Sequence, residues 1–136
     1  ELLMKSISTN CKSNYSNVLY DVANDNDIVI RQDIIDFLKM NSGGYPVNDV
    51  VKFNGEEYEI RVFLSLDDSD ANYYIKKPLE YFLKKTKGKI VPIGIDSGDN
   101  YYCVNNENGK VYFWSSGEDQ YYCIADSLER FVENFN

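Results

Sequence analysis

Histidine is absent from the 136 residues. Its absence removes the commonest general base at neutral pH, the Ser-His and Cys-His nucleophile pairs, and most zinc sites. Cysteine is scarce and odd in number: Cys11, Cys103 and Cys123 lie far apart, and none has the Cys-x-x-Cys spacing of a metal or redox centre. They read as reduced and mostly buried. The near-repeat of Tyr101-Tyr102-Cys103 in Tyr121-Tyr122-Cys123 would bring two thiols together only if those strands paired. No apolar run approaches the roughly 18 residues that span a bilayer. No charged region followed by an apolar stretch and cleavage site opens the sequence. A cytoplasmic protein without membrane contact is therefore expected. Glycine-rich phosphate loops are missing too, so nucleotide binding and cofactors have no support. Positive charge is short: 14 Lys and Arg against 22 Asp and Glu leave a net charge of −8. Nucleic-acid binding draws on clustered Lys and Arg, so it is not expected. The one basic cluster, Lys84 to Lys89, reads as a complement to the negative end of a helix and has no interleaved aromatics.

What is present is a folding pattern. The length fits one domain with a substantial core, and 43% of the residues are apolar. Apart from Leu2, Leu3, Met4 and Ile7, residues 1–14 are polar and without convincing period, and read as an N-terminal arm; residues 15–136 read as one domain. Tyr15, Val18, Leu19 and Val22 have the spacing of a short helix that fails at Asn24-Asp25-Asn26-Asp27. Ile30, Ile34, Phe37 and Leu38 line a second, which Gly43-Gly44 ends. Val50 to Phe53 and Tyr58 to Phe63 flank Asn54-Gly55, the signature of a two-residue hairpin, and Tyr58, Ile60 and Val62 alternate with charged residues as in a half-buried strand. A third helix starts near Pro78.

From Ile90 on, three apolar runs separated by Asn, Asp, Ser and Gly read as a meander, and a capped helix closes the chain. Asp126 with Glu129 predicts a capping box, and Leu128, Phe131, Val132 and Phe135 form the buried stripe. Helices and strands do not alternate regularly. The expected fold is therefore α+β: a mostly antiparallel sheet, hairpin plus three-stranded meander, packed by about four helices.

Val91-Pro92-Ile93-Gly94-Ile95-Asp96-Ser97-Gly98-Asp99, then Tyr101 to Val104, Gly109-Lys110-Val111-Tyr112-Phe113-Trp114 and Ala125-Asp126-Ser127-Leu128-Glu129-Arg130-Phe131, stand in an order that resembles the C-terminal signature of the SUKH superfamily. That group takes its name from fungal cell-wall synthesis regulators of the Smi/Knr kind and includes bacterial toxin-immunity proteins. Ile30 to Leu38 followed by Asn41-Ser42-Gly43-Gly44-Tyr45-Pro46 is similar to its N-terminal segment, with Arg31 in place of the usual proline and Ser42 interrupting an Asn-Gly-Gly run. The resemblance implies a non-enzymatic protein that neutralises a cognate protein toxin, such as a nuclease or deaminase with a basic cleft. It leaves a regulatory scaffold as the alternative; such scaffolds carry long disordered flanks that are not seen here.

The residues are consistent with a binding role. An acidic surface steers a basic protein partner, although acidity also keeps a small protein soluble. Asp67, Asp68, Asp70, Asp96, Asp99, Glu118 and Asp119 are the candidate acidic contacts, and Tyr101, Trp114 and Tyr121 the candidate aromatic anchors. Asp96 and Asp99 have the chemistry to bind a cation or act on a glycosidic bond, but Asp-Ser-Gly-Asp-Asn is ordinary turn composition. Seven Phe, one Trp and twelve Tyr exceed what the core needs. An exposed aromatic surface and a sheet covered on both faces both fit that excess. A monomer or weak dimer is expected.

Overall fold

The computed structural model describes residues 4–135. Residues 1–3 of the expected arm and residue 136 of the expected domain lie outside the described residues. Past residue 3 the N-terminal segment is held against the body. Ser8–Thr9 (β1) pairs antiparallel with Tyr45–Pro46 (β2). The buried Asn41 carboxamide accepts from Ile7 N at 2.9 Å and Ser8 Oγ at 2.8 Å while its NH2 donates to Phe37 O at 3.0 Å. A buried amide satisfied at both ends costs little and fixes position. The approach needs a glycine at position 44, where a Cβ would meet Ser8 Oγ at 2.7 Å and Thr9 O at 2.8 Å.

Two helices follow, Val18–Asp25 (α1) and Gln32–Asn41 (α2). They bury Val18, Leu19, Val22 and Ala23, and Ile34, Ile35, Phe37 and Leu38. Tyr15 lies outside α1, where its hydroxyl donates to Lys39 O at 2.8 Å. Ile30 is buried ahead of α2. Val50–Phe53 (β3) and Glu56–Glu59 (β4) form the expected hairpin, with Asn54 at φ 51° and Gly55 at φ 81°. The strand does not run on to Phe63. After Glu59 the chain leaves the hairpin, and Val62–Phe63 (β5) pairs with Ile95 and Gly94 of a different sheet. The alternation itself holds, with Ile60 and Val62 buried and Glu57 and Arg61 exposed, and burial becomes continuous only from Val62; the alternating pattern fits either sheet and does not mark the switch.

Lys76–Thr86 (α3) carries Pro78 in its first turn, buries Leu79, Phe82 and Leu83, and ends on Lys87 at φ 54°. Ile90–Ile95 (β6), Tyr101–Asn105 (β7), Val111–Ser115 (β8) and Gln120–Ala125 (β9) complete a five-stranded antiparallel sheet in the order β5-β6-β7-β8-β9. The meander thus has a fourth strand. In β9 only Ile124 is buried, although Tyr121 to Ala125 is an apolar run like Tyr101 to Val104 and adjoins the segment read as the closing helix.

Leu128–Glu133 (α4) follows, capped by Ser127 instead of the expected Asp126; Ser127 Oγ accepts from Arg130 N at 3.1 Å. The capping register is shifted by one residue, which places Arg130 at the third helical position.

The sheet divides two apolar clusters. On one face Phe131 stacks on Phe53 at 5.2 Å and meets Phe37 edge-on at 5.9 Å, with the buried Tyr102, Val104 and Val111 beneath. On the other, Phe82 of α3 closes over Ile90, Cys103 and Trp114. Cys103 and Cys123 both stand opposite Tyr112 on either side of β8, so their strands do not pair. Only Cys103 is buried; Cys11 and Cys123 are exposed, contrary to the expectation of mostly buried thiols. Phe131→Ala should cost about 3–5 kcal/mol, the range for removing a fully buried aromatic ring, read as a lowered urea midpoint with unchanged far-UV signal before the transition.

Candidate functional site

Two turns form one end of the five-stranded sheet, and their own side chains shape them. Asp96 Oδ1 accepts from Gly98 N at 2.9 Å and Asn100 N at 2.8 Å, and its Oδ2 from Asn100 Nδ2 at 3.0 Å. Asn100 Oδ1 then accepts from Ser116 N at 2.9 Å, tying the β6–β7 turn to the β8–β9 turn. Glu59, at the end of the hairpin, joins them by accepting from Ser97 N at 2.9 Å. The fold thereby gathers Glu59, Asp96, Asp99, Glu118 and Asp119 at this end. Asp99 and Glu118 are exposed; Asp99 sits at φ 63° and Glu118 accepts from Tyr122 OH at 2.8 Å.

Asp67, Asp68 and Asp70 belong to a separate loop after β5. Asp67 is buried, and its Oδ1 accepts from Ser69 N at 3.0 Å and Ser69 Oγ at 2.7 Å. Asp68 is exposed. Asp70 accepts from Tyr73 N at 3.3 Å and lines an open cleft of about 850 Å³ with Lys12, Asp49, Glu59, Arg61 and Tyr73. Charges of both signs meet in that cleft, and Arg61 Nε donates to Tyr73 OH at 2.8 Å.

The aromatic candidates lie on the face that α3 covers. Trp114 is only 7% exposed, packs edge-on against Phe82 at 5.1 Å, and donates through Nε1 to Asp119 Oδ1 at 2.9 Å. Lys85 Nζ reaches the same oxygen at 2.5 Å and lies 5.2 Å from the centre of the indole ring. Trp114 and Asp67 thus hold the fold together from inside and offer little area to a partner. Tyr101 and Tyr121 are half-buried, and the Tyr121 hydroxyl is buried without a hydrogen-bond partner.

The more exposed aromatic strip is on the opposite face. Tyr58 and Phe113 have ring centres 5.4 Å apart, and Tyr122 stands opposite Phe113 and is 45% exposed. Acids hold both tyrosines: Tyr58 OH donates to Glu56 at 3.4 Å and Tyr122 OH to Glu118. Tyr122 neighbours Tyr121 and Phe113 neighbours Trp114, so the choice of face turned on a one-residue alternation. The place where α3 packs decides it.

Hydrogen bonds hold several acids ionised. Ser97 Oγ lowers the Glu59 carboxyl, the Ser69 backbone N–H lowers Asp67, and Lys85 lowers Asp119, each being the largest cause. Among the described residues no group of three or more Cys, Asp or Glu is placed to hold a metal ion, and no helix is long and apolar enough to cross a membrane.

These features define a small α+β domain whose candidate features are surface turns and an open cleft. The chain belongs to the SMI1 / KNR4 family (SUKH-1), whose model matches residues 18–134 and whose members include immunity proteins. It is 31% identical over 62 residues to the SPbeta prophage-derived uncharacterized protein YokK of Bacillus subtilis (strain 168); the match covers 43% of this chain and 32% of that protein. The chain thus spans about a third of that relative's length. The crystal structure of a protein from Pseudomonas syringae pv. tomato has the same fold, with a TM-score of 0.56 at 17% identity over 91% of this chain and 83% of that one.

Burial without a partner has a measurable consequence. Tyr121→Phe removes an unsatisfied hydroxyl and should leave stability unchanged or raise it by about 1 kcal/mol in urea titrations. Desolvation, the largest cause, pushes the Tyr121 phenol up to about 12 from 10.0. A folded-state value above the unfolded one means this contribution is complete below pH 10.0 and lost as pH climbs toward about 12. The alkaline fall in stability should therefore be smaller in the Phe variant, as measured by thermal midpoints across that window.

Proposed function

We propose that this protein is an immunity protein that binds a cognate bacterial toxin domain directly and blocks it, without chemistry of its own. The observation that carries the reading is membership, over residues 18–134, of a family that includes immunity proteins. The acidic turns support it. Asp99 and Glu118 project from two turns locked together by Asn100, so charge is presented from a rigid base and little ordering entropy is lost on contact. Tyr122 and Tyr58 lie beside them with apolar area and hydroxyls already held by Glu118 and Glu56. A partner with a basic cleft, as nucleases and nucleic-acid deaminases have, complements this surface in sign, and the reading places the encounter in the cytoplasm. Asp68 and Asp70, on the loop beside the open cleft, extend the acidic surface.

Co-expression with a toxin encoded beside it should restore growth, and the two chains should co-purify. Failure to bind any neighbouring toxin would count against the proposal. In the double variant Asp99→Lys, Glu118→Lys, association should slow about tenfold at low salt, as expected for charges that steer encounter. The difference should shrink toward nothing near 0.5 M salt, where the screening length falls to a few ångströms.

A further inference from the structure

The five-stranded sheet has two edges, and they are guarded differently. β5 is two residues long, too short to template another strand. β9 runs for six residues, Gln120–Ala125, at the other end of the order and pairs only with β8. Outside that ladder, no backbone-to-backbone hydrogen bond among the described residues involves positions 120–125. Every second residue of such a strand turns an N–H and a C=O outward. Natural edges of this length are blunted by proline, lysine, an inward charge or a β-bulge. Gln-Tyr-Tyr-Cys-Ile-Ala carries none of the first three, and its one bulge, at Ile124, leaves Gln120 to Cys123 in regular register with β8. Tyr122 and Cys123 are both exposed although they point to opposite faces, so the edge is accessible from both sides.

Charge brackets this bare strand. Glu118 and Asp119 precede it and Asp126 follows it, all three exposed. A second copy paired antiparallel along β9 would set Glu118 and Asp119 of one chain near Asp126 of the other, between bodies of −8 charge each. Like charges facing each other across strands disfavour that pairing.

We infer that β9 is a docking edge for an extended segment of a basic protein partner: about five or six residues of strand-forming sequence flanked on both sides by Lys or Arg. Its backbone extends the sheet by a sixth strand, and its flanking cations meet Glu118 and Asp126. The inference rests on the proposed toxin-binding role for the partner's identity, and on the sheet edge alone for the site.

The test uses isotope-labelled protein and the synthetic peptide Arg-Lys-Val-Thr-Val-Thr-Val-Lys-Arg. The control peptide has Glu at every cationic position. The basic peptide should slow exchange of the outward amides within residues 120–125 at least tenfold, and the acidic one should not. Cys123→Lys, an exposed change that adds a repelling charge to the edge, should weaken the basic peptide at least tenfold with an unchanged urea midpoint. Equal effects of both peptides, protection that falls elsewhere, or no protection would overturn the inference. So would a β9 already protected in a dimer of the protein alone, which would assign the edge to a second copy. The two readings fail separately. A neighbouring toxin captured equally well by the Cys123→Lys protein removes the edge inference and leaves the immunity role. Peptide docking without capture of any toxin does the reverse.

Discussion

The inner strands of a sheet covered on both faces have no neutral position, and that constraint governs this molecule. In β7, Tyr102 and Val104 enter the cluster beneath α4 while Cys103, between them, enters the one beneath α3. In β8, Val111 and Trp114 divide in the same way. A slip of one residue would exchange the two sets and leave neither cluster filled. The turns at the end of the sheet then have to hold register. Asp96 and Asn100 do so by closing one turn on itself and fastening it to the next.

The same constraint sorts the acids. A carboxylate that accepts two or three hydrogen bonds from its own turn is committed to structure, as Asp67 and Asp96 are. Asp119 is committed to Lys85 and Trp114. What remains for an outside partner is a subset, exemplified by Asp68, Asp99 and Glu118, standing on a frame that the others have fixed. Net charge alone overstates the surface available for recognition.

The helices, the Asn54-Gly55 hairpin and the α+β class were legible because each rests on a local rule: apolar period, paired positive φ, irregular element order. The family was legible in motifs that fall on β6, β8 and α4. Four things were not. The change of sheet between Glu59 and Val62 is hidden because an alternating pattern suits either sheet. β9 is hidden because its apolar run, Tyr121 to Ala125, leads with one residue between into the Ser127-capped helix, and only Ile124 of it is buried. The Ser127 cap competed with Asp126 one residue earlier, and both residue types cap helices well. Which face of the sheet α3 covers, and so that Trp114 is buried while Tyr122 is exposed, is a long-range fact.

The indole of Trp114 is the only one in the chain, and it is pinned between Phe82, the Lys85 ammonium and the Asp119 carboxylate. Its ring is shielded from water while its N–H is bonded to the β8–β9 turn. The protein therefore contains a built-in optical probe: the colour and intensity of its ultraviolet emission track the local field at the same turn from which Glu118 projects, with no dye attached.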